Sequence, residues 1–169
     1  MPATYEPIAS TTLGSNTGVV EFSSIPSTYT DLILVGLTGA ASGTPSLRVR
    51  FNTDTGSNYS GTVLGGNGSS ATSARDSSQT SGYGGSRLTE MSTAVENTIT
   101  IHIQSYANTN VFKTWLYAAA GPAKNVERGV GLWRSTSAID TVKLSLGGSF
   151  PTVDTLSGTT WSLYGIKAA

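Results

Sequence analysis

The strongest hydrophobic signal in the chain runs from Tyr29 to Leu37, where five aliphatic residues occupy the six positions from Leu32 to Leu37, interrupted only by Gly36. A run that is apolar on both pleat faces predicts a central strand covered on each side, because a half-exposed strand alternates apolar with polar residues. At about 3.3 Å per residue the nine residues reach roughly 30 Å, enough to cross a domain. Pro26 lacks an amide hydrogen and marks the boundary ahead of this strand.

Other segments alternate. Ser46 to Phe51 places Leu47, Val49 and Phe51 on one face and Arg48 with Arg50 on the other, and Thr98 to Ile103 turns Ile99, Ile101 and Ile103 inward. Further strands are predicted over Tyr5 to Leu13, Val19 to Phe22, Tyr59 to Leu64, Val111 to Ala118, Glu127 to Arg134, Ile139 to Leu146 and Thr159 to Ile166. Asn52 to Asn58 is a turn between two of them, which makes a hairpin. Leu88 to Ala94 fits a helical turn or a short strand, and its neighbours favour the strand. Residues 65–86 are almost without aliphatics, so a Gly/Ser-rich loop of about 20 residues is expected there, a length that usually signals an interaction loop.

Roughly ten short strands at spacings of about 8 to 15 residues, with no helix long enough to join parallel neighbours, predict an all-β fold. The expected architecture is an antiparallel β-sandwich, jelly-roll-like, in a single domain spanning residues 1–169. No solenoid or propeller period is present.

Composition changes the picture in one respect. Only 12% of the 169 residues are charged, ten basic against ten acidic, while Ser, Thr and Gly number 24, 25 and 20. Solubility therefore rests on hydroxyls rather than ions, and a neutral surface lacks the repulsion that keeps copies apart. Self-association or docking on a larger body follows naturally. The balance weighs against a nucleic-acid footprint. No apolar run approaches the roughly 20 residues of a membrane helix, and the N-terminus has neither the basic nor the apolar region of a signal peptide. The expectation is a protein made in a cytoplasm. There is no Cys, hence no disulfide and no thiolate metal site.

The chain offers little for catalysis. His102 is the single histidine and falls on the polar face of its strand; no Gly-x-Ser-x-Gly elbow accompanies it. Asn52, Asp54, Gly56 and Asn58 place oxygen ligands at alternate positions, faintly like a calcium loop, but the closing bidentate acid is missing and a hairpin turn explains them better. Arg48 and Arg50 suit a phosphate or carboxylate partner, although exposed strand arginines are usually just solvated. Trp115, Trp133 and Trp161 would serve as sugar platforms if exposed; their apolar surroundings favour burial. Gly65, Gly66 and Gly68 precede no helix and form no phosphate loop. No catalytic, cofactor-binding or metal-binding residue is assigned, and the chain is read as no enzyme.

Several pieces, taken together, resemble a family of small virion structural proteins of tailed bacteriophages, particularly phages of aquatic bacteria and cyanobacteria. They are Tyr5 to Ala9, Phe22 to Leu32, Arg48 to Ser60, Gly131 to Ile139 and Trp161 to Ile166, with Phe51 to Ser60 and Gly131 to Ile139 the most specific. The resemblance implies a particle component and brings no catalytic residues. On it, a capsid decoration or cement protein is expected, stabilising the head shell as a homo-oligomer, with a trimer favoured and the major capsid protein or another virion protein as partner. Its place would be the virion, on the capsid surface rather than the tail. The alternative is a tail-fibre or receptor-binding module that recognises host surface glycan.

Overall fold

The computed structural model describes residues 4–88, 91–122, 126–148 and 150–167. Twelve strands and no helix lie among them: β1 (Tyr5–Thr12), β2 (Val19–Phe22), β3 (Asp31–Thr38), β4 (Leu47–Phe51), β5 (Tyr59–Gly66), β6 (Ala71–Gln79), β7 (Gly82–Gly85), β8 (Asn97–Gln104), β9 (Lys113–Ala120), β10 (Val126–Trp133), β11 (Val142–Leu146) and β12 (Thr160–Ile166). All pairings are antiparallel. An eight-stranded sheet runs β1-β12-β3-β8-β9-β10-β5-β6, and a four-stranded sheet runs β2-β11-β4-β7. The chain passes repeatedly from one sheet to the other, giving a jelly-roll-like sandwich whose first and last strands pair.

The alternating sets meet across the middle. Leu47, Val49 and Phe51 of the small sheet and Ile99, Ile101 and Ile103 of the large one are all buried, together with Leu32, Leu34 and Leu163. At one end an aromatic cluster fills the gap: Phe51 lies 5.3 Å from Trp115 in an edge-on contact and 5.5 Å from Trp133, which stacks on Tyr59. Trp115 reaches this position because two neighbours have no side chain. A β-carbon at Gly131, its cross-strand partner, would fall 2.0 Å from the indole, and one at Gly82 would fall 2.1 Å from it.

Three sequence expectations change. β3 sits third from an edge between β12 and β8, and only one of its faces is covered: Leu32 and Leu34 are buried, whereas Val35 is 45% and Leu37 40% exposed. The small sheet covers the inner side alone, and none of the described residues covers the outer one. The loop expected over residues 65–86 is largely strand. β5 continues to Gly66, a tight turn follows in which the Asn67 side chain accepts the amides of Ser69 and Ser70, and β6 and β7 come after it. An edge strand exposed on both pleats needs no aliphatics, and Ser, Thr and Ala serve there at little cost, so the apolar period that announces other strands is missing. Finally, the strand expected over Leu88 to Ala94 is absent from its described residues; Thr89 and Glu90 lie outside them.

Two boundaries also shift. The strand expected from Ile139 begins at Val142, although Ile139 is buried ahead of it. β9 begins at Lys113, and its alternation runs in the opposite phase to the one hydrophobicity suggests: Lys113 is buried while Phe112 is 52% exposed. Trp115 and Tyr117 share a pleat face with Lys113 and set that phase, because burying two large aromatics outweighs burying one Phe.

Candidate docking surface

The outer face of the large sheet is assembled by register. Leu37, Thr98, Ala120 and Val126 follow one another across β3, β8, β9 and β10; the next row reads Ser162, Val35, Thr100, Ala118, Arg128 and Leu64; the one after reads Tyr164, Ile33, His102, Leu116, Val130 and Thr62. In the first two rows the positions on β8 and β9 are small, whereas Leu37 and Val35 on β3, Val126 on β10 and Leu64 on β5 are branched aliphatics. Short side chains between tall ones make a trough. Its floor is Thr98, Thr100, Ala118 and Ala120, one wall includes Leu64 and Val126, and its volume is about 610 Å³.

Of the nine large apolar side chains exposed among the described residues, six stand on this face: Val35, Leu37, Leu64, Leu116, Val126 and Val130. Leu64 and Val126 are more than half exposed, at 65% and 59%. Charge is sparse. Apart from Arg128, which forms no ion pair among the described residues, the central strands present only Asp31 and His102, and these bind each other at 2.8 Å.

The candidate residues of the sequence are scattered. His102 does lie on the outer face, where Asp31 holds its Nε2; the same carboxylate accepts the Ser105 amide at 2.7 Å and so ties the start of β3 to the end of β8. No hydroxyl is hydrogen-bonded to His102 among the described residues, so the pair orients an imidazole without arming a nucleophile. Asp54 is a turn organiser. Its Oδ2 accepts Trp133 Nε1 at 2.5 Å and Asn58 Nδ2 at 2.9 Å, and its Oδ1 accepts the Gly56 amide at 2.7 Å. Burial works to raise this carboxyl, but the three hydrogen bonds outweigh it and hold Asp54 below its ordinary range. Of the oxygens that faintly suggested calcium, those of Asp54 are thus engaged, and Asn52 Oδ1 accepts the Asp140 and Thr141 amides; the described residues contain no cluster of three or more His, Asp or Glu arranged for a metal.

Arg48 is not solvated, as its place on the polar face suggested, but 2% exposed. Its Nε donates to Ser81 Oγ and its Nη2 to the Ser81 carbonyl, while its guanidinium lies 3.9 Å from the centre of the Tyr83 ring. Burial pulls its pKa below the ordinary value. Arg50 bonds the Thr80 carbonyl and stacks on Phe150. Trp115, Trp133 and Trp161 are all core residues, none more than 2% exposed. Gly65 and Gly66 belong to β5 and border the trough.

Sequence reasoning missed Lys113. It is fully buried, and its ammonium donates to the carbonyls of Asn108, Val111 and Thr136 at 2.6, 2.9 and 3.1 Å, fastening the β8–β9 turn to the segment after β10. Only its phase with Trp115 and Tyr117 announced it.

No protein-family model and no curated protein matches the chain. Among solved structures it is similar to peanut lectin with a nine-residue peptide, at 6% identity and a TM-score of 0.34 over 94% of this chain and 85% of that one. It is also similar to domains LG4-5 of the mouse laminin alpha1 chain, at 14% identity and a TM-score of 0.31; the match takes in 91% of this chain and 40% of the other. Both are distant likenesses, and neither bears on function.

Proposed function

We propose that this chain is a virion structural protein of a tailed bacteriophage, a capsid decoration protein that stabilises the head shell as a homo-oligomer. The observation that carries this reading is the outer face of the large sheet, wide, nearly uncharged and aliphatic, a surface suited to contact rather than to turnover. Monomeric proteins seldom leave so extended an apolar patch in water. A decoration protein acts by mass action: it binds the assembled shell better than free subunits and so shifts the equilibrium toward the intact particle. The matching pieces at Phe51 to Ser60 and Gly131 to Ile139 support the same reading from the sequence side.

In this reading the partners are further copies and the major capsid protein, the place of action is the capsid surface, and no reaction is catalysed. The glycan-binding alternative loses its expected platforms, since all three tryptophans are buried. Copy number in purified virions tests the proposal. Hundreds of copies per particle, with density on the shell, are expected; a handful at the tail would overturn it.

A further inference from the structure

We propose that the outer face of the large sheet is an interface between copies of this chain, with the trough of one copy receiving the ridge of another. The inference deepens the reading above, because it names the surface through which the homo-oligomer forms. Three observations support a second copy as the occupant. The first is size. Six strands, from β12 to β5, at about 4.8 Å spacing and about seven residues long give roughly 650 Å². That is close to the approximately 800 Å² each partner contributes to a stable complex.

The second is shape. The face carries both halves of a fit: a floor of Thr98, Thr100, Ala118 and Ala120, and beside it the ridge of Leu64 and Val126. A surface with ridge and trough side by side complements itself. The third is charge. The chain is neutral overall, with ten basic and ten acidic residues, and among the described residues Arg128 is the one cation that the six strands from β12 to β5 turn outward without a carboxylate partner, Arg75 lying beyond them on the edge strand β6. Like faces therefore meet with little repulsion, and the threonines of the floor supply hydroxyl acceptors for the guanidinium.

Light scattering on the full chain, from micromolar to millimolar concentration, tests this. The expected mass is a multiple of 17.4 kDa. Leu64→Lys with Val130→Lys should weaken association by about 100-fold, since each buries an unpaired ammonium in the contact. The conservative pair Leu64→Met with Val130→Ile should retain it, and Glu21→Gln, on the outer face of the small sheet, should leave the mass unchanged. Both sites are exposed, so circular dichroism and melting temperature should match the parent. A 17.4 kDa monomer at every concentration would overturn the inference, as would an oligomer whose mass the double lysine variant leaves intact. Copy number separates the two claims. A monomer abundant on shells sinks the interface and spares the decoration role; an oligomer dissociated by the lysines yet absent from virions does the reverse.

Discussion

The outer faces of the two sheets are opposites. The small sheet turns Glu21, Arg48, Arg50 and Lys143 outward, and each is bound within the chain: Glu21 to Lys143 at 3.2 Å, Arg48 to Ser81, Arg50 to Thr80. Tyr83 lies between two guanidiniums, Arg48 at 3.9 Å and Arg87 at 4.9 Å, and Arg87 in turn binds Asp76. The large sheet turns aliphatics and threonines outward, and none of the described residues covers them. The face built from charged residues is closed, and the face built from apolar residues is open. Polarity along the chain thus says little about exposure here. A buried guanidinium persists because hydrogen bonds and ring stacking replace its water, and an exposed valine persists because leaving it in water costs little at a single position.

This contrast implies a double dissociation. Substitutions on the outer face of the small sheet should lower stability and leave association alone; those on the outer face of the large sheet should do the opposite. The largest effect is expected for Arg48→Ala, about 2–4 kcal/mol of unfolding free energy by denaturant titration, since it empties a buried volume and strips Ser81 of its donors. A loss below about 0.5 kcal/mol would mean that the closed face is closed only in appearance. Lys113→Met should cost about 1–3 kcal/mol, because three carbonyls lose their donor in a dry site.

A smaller effect depends on pH. The folded pKa of Asp54 is depressed, so its contribution is fully present above the unfolded value of about 3.9 and is lost as pH falls through the folded one. Acid titration should therefore lower the melting temperature and change Trp133 fluorescence together, and Asp54→Asn, at a cost of about 1 kcal/mol near neutrality, should flatten both responses. The smallest effect sharpens the comparison most. Val35→Thr, on the open face, should change stability by less than about 0.5 kcal/mol. The same substitution at the buried Val49 should cost about 1–3 kcal/mol through an unpaired hydroxyl. Equal losses at the two valines would show that the outer face is already shielded within the single chain.

How much of this was legible follows from the kind of signal each residue leaves. Leu47, Val49 and Phe51, and Ile99, Ile101 and Ile103, announced their inward faces through strict alternation, and the structure buries all six. Ala71 to Gln79 left no such trace, because an edge strand wet on both sides has no apolar period to show. Arg48 and Lys113 were misplaced for a third reason: a charged residue signals solvent, and what satisfies it here leaves no mark in the sequence, Ser81 for Arg48 standing 33 positions away and the acceptors of Lys113 being backbone carbonyls of Asn108, Val111 and Thr136. The docking face lay half hidden in the same way. Val35 and Leu37 were visible as apolar, but that they remain uncovered could not be read from their own neighbourhood.

By itself the sequence determined the all-β character, the position of most strands and the inward set of each alternating one, because pleat geometry makes these local properties of two-residue periodicity. The tertiary structure decided which side of the doubly apolar β3 is covered, that the Gly/Ser-rich stretch extends the large sheet, and that the charged face is the closed one. Those outcomes depend on what distant segments place opposite a given side chain. A four-stranded sheet can cover only the inner side of an eight-stranded one, and no local pattern records that.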